Sequence, residues 1–140
     1  MIITLCKSKI HRARVTEANL DYVGSLTIDE TLMKAANLRE YERITVGNIN
    51  NGERFDTYII RGRADSGEIC VNGAAAHKVS VGDLIIIMAY AGFTESEADS
   101  FTPSLVYVNE DNRIVKIGPE KANTEFASEI ALAADIESSS

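Results

Sequence analysis

The sequence predicts a small, mainly β domain of barrel type, and three observations carry that expectation. Short apolar runs recur down the chain, separated by turn signals roughly every ten residues. Asn51-Gly52, the strongest short hairpin signal, sits between two such runs. Only one stretch combines a helix start with helical spacing. At 140 residues the chain is one domain by size. A chain of this length buries roughly 68–70% of its unfolded surface, enough for a core without covalent or metal staples.

The elements follow in order. Residues 2–8 and 13–16 read as strands by partial alternation. Thr27-Ile28-Asp29-Glu30 fits a capping box, and Leu32, Met33 and Ala36 then recur at helical spacing, so a helix is expected through Asn37. Residues 44–46 are strand-like, and after Asn51-Gly52 the chain returns as a strand over 55–60. Asp65-Ser66-Gly67 marks a turn before a short strand at 68–71. The continuous apolar run 84–90 has the length of a central strand covered on both faces. A last hairpin pairs 105–108 with 113–117 around Glu110-Asp111-Asn112. From 118 the composition shifts to Glu, Ala and Ser. The expected domain is therefore 1–117, with 118–140 as a mobile tail.

Composition narrows the function. Hydrophobic content of 45% with 25% charged residues is that of a soluble globular protein. A net charge of −7 argues against nucleic acid, whose phosphates require a basic surface. Lys7, Lys9, Arg12 and Arg14 all precede the first acidic residue, Glu17. Cations grouped in this way can hold an anion within an acidic chain, or can be solvated strand residues. Cys6 and Cys70 are far apart, without metal-like or redox-like spacing, and read as two buried small hydrophobes rather than a disulfide. Residues 1–7 are too short an apolar run for a signal peptide, and no segment approaches the roughly 20 apolar residues that span a bilayer. A cytoplasmic protein without membrane or nucleic-acid partner is expected.

Four segments stand out for chemistry: Lys9-Ile10-His11-Arg12; Tyr22-Val23-Gly24-Ser25 with Ile28-Asp29; the stretch from Asn51-Gly52 through Arg54 to Thr57-Tyr58; and Asn72-Gly73-Ala74-Ala75-Ala76-His77. In this order and spacing, over residues 1–117, they resemble the aspartate 1-decarboxylase family of small, self-processing, pyruvoyl-dependent enzymes. The resemblance implies a six-stranded double-psi β-barrel and a homotetramer with active sites between subunits. It implies conversion of L-aspartate to β-alanine and carbon dioxide, for pantothenate and coenzyme A synthesis. It also implies self-cleavage between Gly24 and Ser25, giving chains 1–24 and 25–140. The second would begin with a pyruvoyl group made from Ser25, forming the Schiff base with substrate, and neither pyridoxal phosphate nor a metal would be needed. Thr57 would donate to the Gly24 carbonyl and contact substrate, and Tyr58 would be the acid that returns a proton to carbon. Lys9, Arg54, Asn72, Gly73, Ala74 and Ala75 would hold aspartate, with His11 and Tyr22 beside them. Val23 and Leu26 depart from relatives that carry glutamate and cysteine there, and neither supplies an atom that the chemistry requires. Some members mature with an acetyltransferase-like partner, and the sequence leaves that open.

Elementary chemistry supports parts of this and leaves alternatives. Gly24 has no side chain to block attack by Ser25 and tolerates unusual dihedrals. Gly-Ser is also an ordinary turn pair. Arg54 can hold a carboxylate bidentately, which lysine cannot, or it can be a solvated residue beside a hairpin. Gly73-Ala74-Ala75 lets a ligand approach backbone, or it is a tight turn. His11 is equally readable as structural, and His77 is read as structural. Strand alternation sends Thr57 and Tyr58 to opposite faces, so both serve one site only through a bulge, a strand end or a second subunit. Cleavage without elimination would instead make an N-terminal-serine hydrolase. An uncleaved chain would favour a non-enzymatic, oligomeric binding barrel.

Overall fold

The computed structural model describes residues 1–118. The strands are β1 (Ile2–Arg14), β2 (Glu17–Asn19), β3 (Ser25–Asp29), β4 (Arg43–Asn48), β5 (Arg54–Gly62), β6 (Ile69–Asn72), β7 (Leu84–Thr94), β8 (Ser104–Val108) and β9 (Ile114–Gly118). Two short helices, α1 (Glu30–Ala35) and α2 (Glu95–Ser100), and a 3-10 turn at Gly73–Lys78 complete the described chain. The strand order is β2-β6-β3-β5-β4-β7-β1-β8-β9. β1 pairs with β7, and β2, a few residues later, pairs in parallel with β6. At the join, Thr16 N donates to Ile69 O at 2.9 Å. One segment therefore touches both halves of the strand order, and the fold is mainly β and barrel-like, as expected.

The core is lined by alternate residues of these strands: Ile10, Leu26, Ile28, Ile44, Val46, Ile59, Ile69, Val71, Ile85 and Ile87, all buried. Each such side chain contributes roughly 1.5–3 kcal/mol on leaving water. Asp29 is buried at the end of β3, where its carboxylate accepts from the backbone N–H groups of Thr31, Asp65 and Gly67. Asn112, buried at φ +59, donates to the carbonyls of Arg14 and Gly67 and accepts from Arg14 N. These two side chains satisfy the polar backbone where β1, β3, the 65–67 turn and the β8–β9 hairpin meet. They fix the far end of β3, the strand that carries the candidate site at its start.

Several expectations are corrected. The two N-terminal strands are one, because β1 shifts register between Cys6 and Ser8 and between Ile10 and Ala13, with Arg12 at φ +63. These irregularities interrupt the alternation and imitate a gap. Thr27 is not a helix cap. It lies within β3, opposite Cys70, and Asp29 caps α1 through Thr31 N. The capping box is at Thr94 and Glu97 instead, where Thr94 N–H holds the Glu97 carboxyl below its usual range. The run 84–90 is central, between β4 and β1, and extends to Thr94. This chain covers only one of its faces: Ile85, Ile87 and Ala89 are buried, Ile86 and Met88 are half-buried and Tyr90 is exposed. Cys70 is buried but Cys6 only half-buried, and neither forms a disulfide. The expected tail, 118–140, lies outside the described residues except for Gly118, which ends β9.

Candidate functional site

β3 begins at Ser25 and is flanked on both sides. Ser25 is opposite Asn72 in the antiparallel ladder with β6. In the parallel ladder with β5, Leu26 is opposite Ile59, so Ser25, one residue earlier, stands level with Tyr58. Leu26 and Ile28 fill the core, so alternation turns Ser25 and Thr27 to the outer face. Ser25 is nevertheless only 3% exposed. Asn72 Nδ2 donates to Ser25 Oγ at 3.0 Å and to Thr27 Oγ1 at 3.1 Å. Cys70 Sγ donates to Asn72 Oδ1 at 3.1 Å, and Ser25 Oγ donates to the Val23 carbonyl at 3.4 Å.

The segment before Ser25 rests on Gly73. That residue has φ +75, and a Cβ there would lie 2.6 Å from Gly24 Cα and 2.8 Å from Gly24 N. Glycine is required twice over, for its dihedral and for its thinness. Here the close approach is made by the Gly24 backbone itself. At Gly24 a Cβ would meet only the Asn72 carbonyl, at 4.0 Å, so this peptide is open on its remaining sides. Tyr22 and Val23 are exposed, Ala74 is exposed, and Ala75 packs partly buried against the core.

The other predicted residues belong to other parts of the sheet. Lys9 is opposite Met88, Met88 opposite Thr45, and Thr45 opposite Asp56, so Lys9 is three strands along the sheet from β5. Arg54 opens β5 opposite Gly47, four residues and about 13 Å along the strand before Tyr58. His11 is half-buried, opposite Tyr107, with ring centroids 5.3 Å apart at 62°. Asp56, next to Arg54, is engaged by Arg43 at 2.7 Å and Thr45 at 2.8 Å, which together hold its carboxyl below the usual range.

Both ladders of β5 run without a register shift, so Thr57 and Tyr58 do face opposite ways. Tyr58 shares the outer face with Ser25, and its ring centroid is 6.5 Å from that of Tyr41. Thr57 is half-buried on the side of Ile44, and among the described residues no hydrogen bond joins it to Gly24. One chain thus gathers Gly24, Ser25, Tyr58, Asn72 and Gly73, turns Thr57 to the other face of β5, and carries Lys9, His11 and Arg54 on other parts of the sheet.

Cys70 and Thr27 escaped the sequence reading as members of this site. The signal was their spacing two residues from Asn72 and Ser25, which puts each pair on one face of a strand. Burial, with Glu17 and Glu68 nearby, pushes the Cys70 thiol up to about 11, so it remains a donor. Among the described residues no group of three His, Cys, Asp or Glu is arranged to hold a metal ion, and no helix is long and apolar enough to cross a membrane.

Among known proteins, the chain matches the family model described as aspartate decarboxylase over residues 1–115. The aspartate 1-decarboxylase of Acetivibrio thermocellus is 58% identical over 126 residues, 90% of this chain and 100% of that protein. That of Campylobacter fetus is 59% identical over 114 residues, 81% of this chain and 98% of its own length. That of Clostridium beijerinckii is 53% identical over 123 residues, covering 88% and 99%.

Proposed function

Because the chain belongs to the aspartate decarboxylase family, we propose that it cleaves itself between Gly24 and Ser25 and then converts L-aspartate to β-alanine and carbon dioxide. The β-alanine would serve pantothenate and coenzyme A synthesis. The observation that carries this reading is the seating of the Gly24–Ser25 peptide. Ser25 Oγ is buried and held by Asn72, while Gly24 rests on a second glycine and is otherwise open.

In processing, Ser25 Oγ adds to the Gly24 carbonyl carbon, the C–N bond breaks, and the freed nitrogen takes the hydroxyl proton. An ester and an amine result. The Ser25 α-proton then goes to a general base, the Cβ–Oγ bond breaks, and Gly24 leaves as a carboxylate with the electron pair. Water converts the remaining dehydroalanine to a pyruvoyl group and ammonia. The residues present fit such a group: position 25 is buried, beside small residues and an amide donor. A pyruvoyl there supplies the electrophilic ketone and electron sink that amino-acid decarboxylation requires.

The chain's own residues divide the remaining work. Arg54 holds a substrate carboxylate in its planar fork, and Lys9 adds a point charge. Asn72 and the backbone of Gly73, Ala74 and Ala75 line the space beside position 25, with Tyr22 at its margin and His11, like Lys9, brought by a neighbouring copy. Tyr58 Oη, on the same face and level with Ser25, returns the proton to carbon. Thr57, turned to the other face of β5, would steady the Gly24 carbonyl during processing only from a strand end or a neighbouring copy. Lys9 lies three strands along the sheet from β5, and Arg54 opens β5 about 13 Å along the strand before Tyr58. That placement supports an oligomer in which a neighbouring copy completes each site, and the family resemblance makes it a homotetramer.

Intact mass under denaturing conditions tests the reading, alongside chromatographic detection of β-alanine. Fragments 1–24 and 25–140 are expected, the larger lighter by one ammonia than simple hydrolysis gives. Fragments without that loss would instead identify an N-terminal-serine hydrolase. A chain that stays whole after prolonged warming, and behaves like Ser25→Ala, would overturn both.

A further inference from the structure

The side chains around Asn72 form a relay that ends on the oxygen to be activated. We propose that Cys70 and Thr27 are positioning residues for self-processing, which clamp the Asn72 amide so that its N–H points at Ser25 Oγ. This inference rests on the self-cleavage reading and assigns a role to two residues that act only through Asn72.

The geometry leaves the amide one good orientation. Cys70 Sγ donates to Oδ1 at 3.1 Å, and the two hydroxyls accept from Nδ2 at 3.0 and 3.1 Å. Cys70 and Asn72 are buried, so a flipped amide would set its NH2 against a thiol hydrogen and could find no water. The thiol stays protonated well above neutral pH, because burial and the charges of Glu17 and Glu68 oppose ionisation. The thiol therefore keeps its hydrogen under ordinary conditions, and at 3.1 Å Oδ1 is in reach of it.

The clamp bears on both bonds that change at Oγ. In the resting chain, Asn72 occupies one lone pair of Oγ and the hydroxyl hydrogen is directed to the Val23 carbonyl, which leaves the other lone pair for the Gly24 carbon. In the elimination, the Cβ–Oγ electron pair collects on Oγ as Gly24 becomes a carboxylate. An N–H aimed at that atom stabilises the developing charge. If the amide turned over, the same atom would face a carbonyl oxygen and the charge would be opposed.

The test follows processing by intact mass in wild type, Cys70→Val, Cys70→Ser and Thr27→Val, with thermal melting of each. Hydroxylamine, which cuts the ester but not the amide, reads out the intermediate as a chain ending in the Gly24 hydroxamate. Cys70→Val keeps an apolar, similarly sized side chain and loses the donor. It is expected to process about tenfold more slowly, as loss of one hydrogen bond implies, and to accumulate hydroxylamine-sensitive chain. Cys70→Ser restores a donor and most of the rate. Thr27→Val, on the other side of the amide, slows processing in the same sense. Wild-type rates in Cys70→Val and Thr27→Val, without ester build-up, would overturn the clamp and leave self-cleavage standing. Slow processing in Cys70→Val that Cys70→Ser does not restore, in equally stable proteins, would overturn it too. A wild-type chain that never cleaves at Gly24 would overturn the proposal together with the reading beneath it.

Discussion

Replacing Gly73 by alanine separates the two reasons that this position is glycine. At φ +75 an alanine costs roughly 1 kcal/mol in backbone strain. Its Cβ would also sit 2.6 Å from Gly24 Cα, about 0.8 Å short of ordinary contact, and 2.8 Å from Gly24 N. Both neighbours are backbone, so no side chain can swing aside and the Gly24 segment itself must move. Overpacking of this kind adds about 1–3 kcal/mol. A displacement near 1 Å at a reacting bond costs on the order of a hundredfold in rate. Gly73→Ala is thus expected to lower stability by roughly 2–4 kcal/mol and to slow cleavage after Gly24 about a hundredfold. Gly52→Ala is the matched control, because Gly52 has φ +76 and nothing lies within 4 Å of its would-be Cβ. It should lose only about 1 kcal/mol and process normally. The assays are urea unfolding of both variants and a mass-spectrometric time course of cleavage. If the two variants process at the same rate, the contact between Gly73 and Gly24 has no bearing on the chemistry.

Three further outcomes are expected. Tyr58→Phe keeps the ring but not the acid, so cleavage should proceed at the wild-type rate while β-alanine formation falls by roughly 10²–10⁴-fold; unchanged turnover would remove Tyr58 from the proton's path. Cys70 should react with iodoacetamide at pH 8 roughly a hundredfold more slowly than an ordinary thiol, because its ionisation is raised from 9.0 to about 11. The raised value also sets a sign: the stabilisation is complete below pH 9 and is lost as pH rises through about 11, so Cys70→Val should flatten alkaline unfolding in that window. Asp29→Asn leaves the buried Gly67 N–H or the Thr31 and Asp65 pair facing an amide NH2, and should cost about 1–3 kcal/mol in urea unfolding; a neutral substitution would mean the corner is held by Asn112 alone.

The fold was legible wherever a local rule sufficed. The Asn51-Gly52 hairpin, the Asp65-Ser66-Gly67 turn and the final hairpin all form as read, because each depends on positive-φ residues or alternation close in sequence. β1 was misread because its register shifts depend on its partner β7, which lies seventy residues or more away in sequence. Thr27-Ile28-Asp29-Glu30 satisfies a helix-start pattern, but Thr27 and Ile28 pair with β6 and the helix starts only at Glu30, so tertiary pairing overrides the local signal. Of the candidate site, the motif residues Gly24, Ser25, Tyr58, Asn72 and Gly73 are gathered by the register of three strands. Cys70 looked like core filler, since nothing local distinguishes a thiol that packs from one that packs and donates. Lys9, His11 and Arg54 lie on other parts of the sheet, a placement no one-dimensional pattern could have revealed.

A single strand ties the stability of this protein to the chemistry proposed for it. The inner face of β3, Leu26 and Ile28, is fully buried, and its far end is fixed by the three N–H groups on Asp29. That anchoring sets the register against β5 and β6, and the register alone puts Ser25 beside Asn72 and level with Tyr58. A one-residue slip would turn Ser25 into the core and Leu26 outward, losing the apolar burial and the site together. Core substitutions on β3 should therefore change cleavage only when they change the register, whereas substitutions on its outer face can change cleavage with the fold intact. The outer face is also where Gly73 and Asn72 meet the chain just before it enters β3. The Gly24–Ser25 peptide thus lies at the boundary between a paired strand and an exposed loop, with the serine buried and the glycine exposed.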